Sequence, residues 1–76
     1  MTNEEFGLRV GCSESMASRL RSGDRRPGAD LRDRIIKAFG YDRDLDALRE
    51  VMEASASAET FGRFLRERVF KEVVST

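Results

Sequence analysis

At 76 residues the chain has room for one small domain, or one domain with an appendage, and a hydrophobic core at that size is thin. Charged residues make up 37% and apolar residues 39%, a balance that favours helices with one buried stripe and a solvated outer face. One cysteine and no histidine exclude an internal disulfide and a structural zinc site, and no apolar run approaches the ~20 residues of a membrane span.

Thr2 and Glu5 stand three apart ahead of an apolar pattern. That is the spacing of a capping box, in which the hydroxyl and the carboxylate each satisfy a free backbone N–H. Phe6 and Val10, with Leu8 beside them, give about two turns of helix. Gly7 lowers helix propensity, but its small size lets another helix approach closely. Gly11 falls where a left-handed residue ends the helix, and Ser13 is a good N-cap for the next one.

In that second helix Met16, Ala17 and Leu20 share one face. Glu14, Ser15, Ser18, Arg19 and Ser22 fall largely on the others, and Gly23 closes it. Residues 24–28 form a turn with two arginines and the only proline. Asp30 with Asp33 reads as a third cap with a carboxylate in the first turn. Leu31, Ile35, Ile36 and Phe39 then make an apolar stripe that Gly40 stops, and Tyr41, Asp42 and Arg43 make a short connection.

Asp44 caps a fourth helix with Leu45, Leu48, Val51 and Met52 inward. The small residues 54–58 read either as a continuation of that helix or as a flexible joint, with Ser57 capping the last helix. Phe61, Phe64, Leu65, Val69, Phe70, Val73 and Val74 are spaced as one wide helical stripe. It forms either a second core or a self-association surface, with Arg63, Arg66, Glu67, Arg68, Lys71 and Glu72 opposite. No strand alternation or hairpin turn appears, so the expected fold is all-α with about five short helices.

The zero net charge hides a segregation of sign. Residues 19–37 hold seven Arg or Lys against three Asp, net +4, while residues 41–59 are net −4 and residues 60–76 net +2. A basic stretch suits phosphate, although solvated helix faces show the same pattern. An enzyme is not expected: there is no His, no second Cys and no glycine-rich phosphate loop, and the carboxylates lie on caps and outer faces. No cofactor, metal or small-molecule substrate is expected either.

Residues 2–40 resemble the helix-turn-helix of the lambda-repressor-like family, shared by phage repressors, Cro proteins and many bacterial regulators. The resemblance is carried by the helix ending Arg9, Val10, Gly11, by the serine-capped helix with Ala17 and Leu20, and by its Ser22–Gly23 end. The basic Arg25, Arg26, Pro27 turn and the helix that runs to Gly40 complete it. The family carries an extra helix ahead of the one starting at Thr2, and this chain begins at that point, so a downstream helix or a second subunit is expected to complete the core. A repressor with this start is similar to immunity repressors of actinobacterial phages. The resemblance implies a DNA-binding unit in residues 1–41, with residues 42–76 completing the core or mediating dimerisation.

In such a motif the second helix presents its first turns to base edges in the major groove, while the preceding helix and following loop hold phosphates. The resemblance therefore implies base reading by Glu14, Ser15, Ser18 and Arg19, with Arg19 able to grip guanine O6 and N7. Glu14 can accept from cytosine N4, or serve only as a first-turn acid favoured by the helix dipole. Phosphate binding falls to Thr2, Asn3, Ser13, Arg21, Ser22, Arg25 and Arg26. Of Arg32, Arg34 and Lys37, one is expected to reach the DNA backbone and the others to pair with Asp30 or Asp33. Met16 and Cys12 read as packing residues.

The implied function is a sequence-specific repressor of phage or mobile-element type, acting on a double-stranded operator in the bacterial cytoplasm, with a homodimer through the last helix open. The competing reading is an antitoxin-like or adaptor protein that docks a partner on the apolar face of residues 61–74. A third has residues 60–76 touching DNA as well.

Overall fold

The structure is a computed structural model that describes residues 1–71. Among the described residues it is all-α: α1 Asn3–Val10, α2 Glu14–Ser22, α3 Ala29–Ala38, α4 Leu45–Ala54 and α5 Ala58–Phe64, with a 3-10 turn at Tyr41–Arg43. Local chemistry sets most of the boundaries. The Thr2 hydroxyl accepts from Glu5 N and the Glu5 carboxylate from Thr2 N, completing the capping box. Ser13, Asp44 and Ser57 each cap their helix through a side-chain oxygen. Gly11 (φ 75°) and Gly23 (φ 87°) end α1 and α2 in the left-handed conformation, which a Cβ would strain.

The third cap differs from expectation. Gly28 is the N-cap of α3, with no side-chain hydrogen bond, and the helix begins at Ala29. Asp30 therefore lies within the first turn, where its charge meets the positive helix end without capping it. The connection after α4 is a tied turn. Thr60 Oγ1 donates to the Ala54 carbonyl at 2.7 Å, Ser55 Oγ to that of Met52 at 2.8 Å, and Arg26 to that of Ala56 at 3.4 Å.

One core joins both halves of the chain. Phe6, Val10, Leu20 and Ile35 pack in a single cluster with Val51, Phe61, Leu65, Val69 and Phe70. Phe6 stacks on Phe70 with ring centroids 5.3 Å apart, and Phe61 lies 5.8 Å from Phe64. The stripe of the last helix is thus neither a second core nor an exposed surface; Val73 and Val74 lie outside the described residues. A π-helical turn, Leu65–Val69, follows α5 and closes with Phe70 N donating to the Leu65 carbonyl at 2.8 Å. Its wider winding returns Val69 and Phe70 to the face of Phe61 and Leu65, and all of these are buried, as is Phe64.

Three apolar residues placed inward, or beside inward ones, by their spacing point outward instead: Leu8 is 80% exposed, Leu45 77% and Met52 44%. In α4 Val51 is buried, as expected, and Ala47, Leu48 and Ala54 are partly buried against the core beside it. That side of α4 meets the core, and the Leu45–Met52 edge is left to solvent.

Candidate nucleic-acid interface

Contacts at both ends hold α2. At its start, a Cβ on Gly7 would stand 2.5 Å from the Cys12 carbonyl oxygen, so only glycine lets α1 lie against the turn. The Gly7 carbonyl accepts from Gly11 N and Cys12 N, and Arg34 donates to the carbonyls of Gly11 at 2.8 Å and Val10 at 3.4 Å. Those carbonyls end α1 with no helical partner, so a guanidinium from α3 supplies it. At the far end of α2, a Cβ on Gly62 would stand 2.7 Å from both Cα and N of Gly23. The backbone of α5 therefore rests directly on the left-handed cap of α2.

Between these supports α2 buries Ala17 and Leu20 and half-buries Met16, and leaves Glu14, Ser15, Ser18 and Arg19 exposed. At ~100° per residue those four, with Ser22, span an outer arc of about 140°. The residues expected to read bases thus share one outward face. Arg19 is uncommitted in charge, since the one ion pair among the described residues joins Arg68 to Glu50.

The set expected to bind phosphate is more dispersed. Arg25 and Arg26 are exposed in the loop after α2, with Arg26 steadied on the Ala56 carbonyl. Ser13 and Ser22 are exposed, but each hydroxyl has local work: Ser13 Oγ accepts from Met16 N, and Ser22 Oγ donates to the Arg19 carbonyl. Thr2 is likewise engaged in its capping box, and beside it the exposed Glu4 and Glu5 place two carboxylates at the start of α1. Those charges oppose a phosphate there.

Arg21 departs furthest from its expected role. Its guanidinium lies 4.3 Å from the centroid of the Phe70 ring and donates to Asn3 Oδ1 at 3.4 Å. Half-buried, it holds α1, α2 and the last turn together and lies off the outer arc. Arg34 is spent on the turn between α1 and α2, and among the described residues no ion pair joins Arg32, Arg34 or Lys37 to Asp30 or Asp33. Cys12 packs against the core; burial pushes its thiol above the ordinary value of 9.0, with nearby Arg34 pulling in the opposite direction.

Three supports of the site escaped sequence reading: Gly62 on Gly23, Arg34 on the turn, and Arg66 donating to the Arg21 carbonyl at 2.6 Å. Each joins residues at least 23 apart in the chain, beyond the reach of helical spacing. Only the glycine inside the last helical pattern gave a signal, since a glycine there weakens a helix unless something needs the space. Comparison with protein-family models, with characterised proteins and with solved structures gives no match to this chain.

Proposed function

We propose that this chain is a sequence-specific, double-stranded DNA-binding transcriptional repressor of phage or mobile-element type, working in the cytoplasm of a bacterial host. The observation that carries the reading is the outer face of α2, where Glu14, Ser15, Ser18 and Arg19 are exposed together on a helix supported at both ends. Laid in a major groove, that face brings a guanidinium, two hydroxyls and a carboxylate to base edges. Arg19 donates to guanine, Glu14 accepts from cytosine, and the serines adapt to what remains. Arg25 and Arg26 neutralise phosphates beyond the far end of the helix and fix the register. A protein so seated over a promoter represses by excluding polymerase.

The test is a fluorescence titration of duplex DNA at several salt concentrations, followed by selection of the preferred site from a random pool. Binding that weakens steeply with salt, and a selected consensus, are expected. Arg19→Ala then loses about 1–3 kcal/mol on the consensus and less on random duplex. No binding at low salt, or equal losses on both duplexes, overturns the assignment.

A further inference from the structure

Two surface patches lie outside the face of α2, and they are opposite in charge. Two adjoining hollows between the ends of α1 and α3 share Arg9 and Lys37 in their walls; Arg34 and Arg43 add further cations. Four cations thus line this surface with no carboxylate among them, and the exposed Leu8 stands at its edge. The second patch runs along α4. Its hollow is walled by Asp44, Asp46, Glu50 and Glu53 against Arg49 and Arg68, a net of −2. Leu45 and Met52, seven apart on the same helix edge, stand exposed next in sequence to Asp44, Asp46 and Glu53. Leu8, Leu45 and Met52 are the exposed large apolar residues of the described chain; Leu8 lines the basic surface, and Leu45 and Met52 are on the helix that carries the acids.

We propose that the basic α1–α3 face of one copy docks on the acidic α4 face of a second copy of this chain. Opposite charge supplies the orientation, and the leucines supply the apolar contact that a patch built only for phosphate would not need. The two patches are different surfaces, so the contact is head to tail and leaves one patch of each sign open on the pair. It can therefore repeat, or close into a ring. On DNA such a contact couples neighbouring readers, and it exists without DNA, so its failure is separable from failure of the DNA-binding assignment.

The experiment is sedimentation velocity on the full chain without DNA, with circular dichroism to establish that each variant is folded. The wild-type mass should rise with protein concentration at about 50 mM salt and stop rising at about 0.5 M, where screening shortens to a few ångströms. Lys37→Glu with Arg43→Glu cancels the net charge of the basic face and gives a chain with only the acidic face. Asp46→Lys with Glu53→Lys gives one with two basic faces. Each should stay monomeric alone, and an equimolar mixture should regain association. A wild type that stays monomeric at every concentration, or a mixture that does not associate, overturns the proposal. So does a Lys37→Glu, Arg43→Glu chain that associates as wild type does but binds random duplex more weakly, because the basic face would then serve phosphate.

Discussion

Replacing Gly62 with alanine tests whether α5 rests on the end of α2. The new Cβ would stand 2.7 Å from Cα and N of Gly23 and 3.1 Å from the Leu20 carbonyl oxygen. Carbon pairs rest near 3.5–4.0 Å, so α5 must retreat by roughly 1 Å, and the obstacle is backbone that cannot rotate aside. Overpacking of this kind costs about 1–3 kcal/mol, and a backbone obstacle places it at the upper end. Alanine in a helix returns up to about 1 kcal/mol of propensity, leaving a net loss of about 2 kcal/mol. For a domain of this size that lowers Tm by roughly 8–16 °C. Gly28→Ala is the control: a Cβ there meets nothing within 4 Å, so the expected loss is that of an N-cap alone, under about 1 kcal/mol. Thermal unfolding followed by circular dichroism reads both. A Gly62→Ala chain as stable as wild type would mean that α5 does not press on Gly23, and the support assigned to the end of α2 would fall with it.

The remaining expectations concern side chains around the same helix. Arg21→Ala should lower stability by about 1 kcal/mol through loss of its seat on Phe70, while the salt dependence of DNA binding stays unchanged; a slope smaller by about one would return Arg21 to the phosphate-binding set. Cys12 gives a pH dependence. Its thiol is raised in the folded chain, so the unfolded chain ionises first and stability falls as pH rises through the unfolded value near 9.0. The Tm of wild type relative to Cys12→Ala should therefore decline between about pH 7 and pH 10, and a constant difference would show that the thiol is not desolvated.

What the sequence made legible is local. The oxygens of Thr2, Ser13, Asp44 and Ser57 act within three residues of themselves, and Gly11 and Gly23 act on their own backbone, so spacing alone finds them. The face of Glu14, Ser15, Ser18 and Arg19 was legible for the same reason, because the helical period separates it from Ala17 and Leu20. The direction of Leu45 and Met52 was not, because it depends on which side of α4 meets its neighbours. Ala47 and Ala54 pack on the core side with Leu48 and Val51, and hydrophobicity ranks alanine below leucine. Arg21 was misplaced for a related reason. Its spacing puts it at the edge of the outer arc, and only the arrival of Phe70 from the end of the chain draws its guanidinium inward.

The two glycine contacts on α2 lead to a last expectation, which separates holding the helix from reading with it. Gly7 fits against Cys12 and Ser13 where α2 begins, and Gly62 fits against Gly23 where it ends. Glu14, Ser15 and Ser18 lie toward the start, whereas Arg19 is in the last turn and Arg25 and Arg26 come after the end. A Cβ on Gly7 would stand 2.5 Å from a backbone oxygen, so Gly7→Ala should tilt the start of the helix, where Glu14, Ser15 and Ser18 are proposed to read bases. Gly62→Ala shifts the end that feeds the arginine loop. Misplacement by about 1 Å is enough to lose a bidentate contact worth about 1–3 kcal/mol. Measured at a temperature where each variant is folded, Gly7→Ala should lose preference for the selected site over random duplex and keep its salt slope. Gly62→Ala should lose the part of the preference that Arg19 carries and also show a smaller slope, because it moves phosphate contacts as well. If both variants lose affinity only in proportion to their unfolded fraction, the supports serve stability alone, and α2 finds its place in the groove through contacts with DNA.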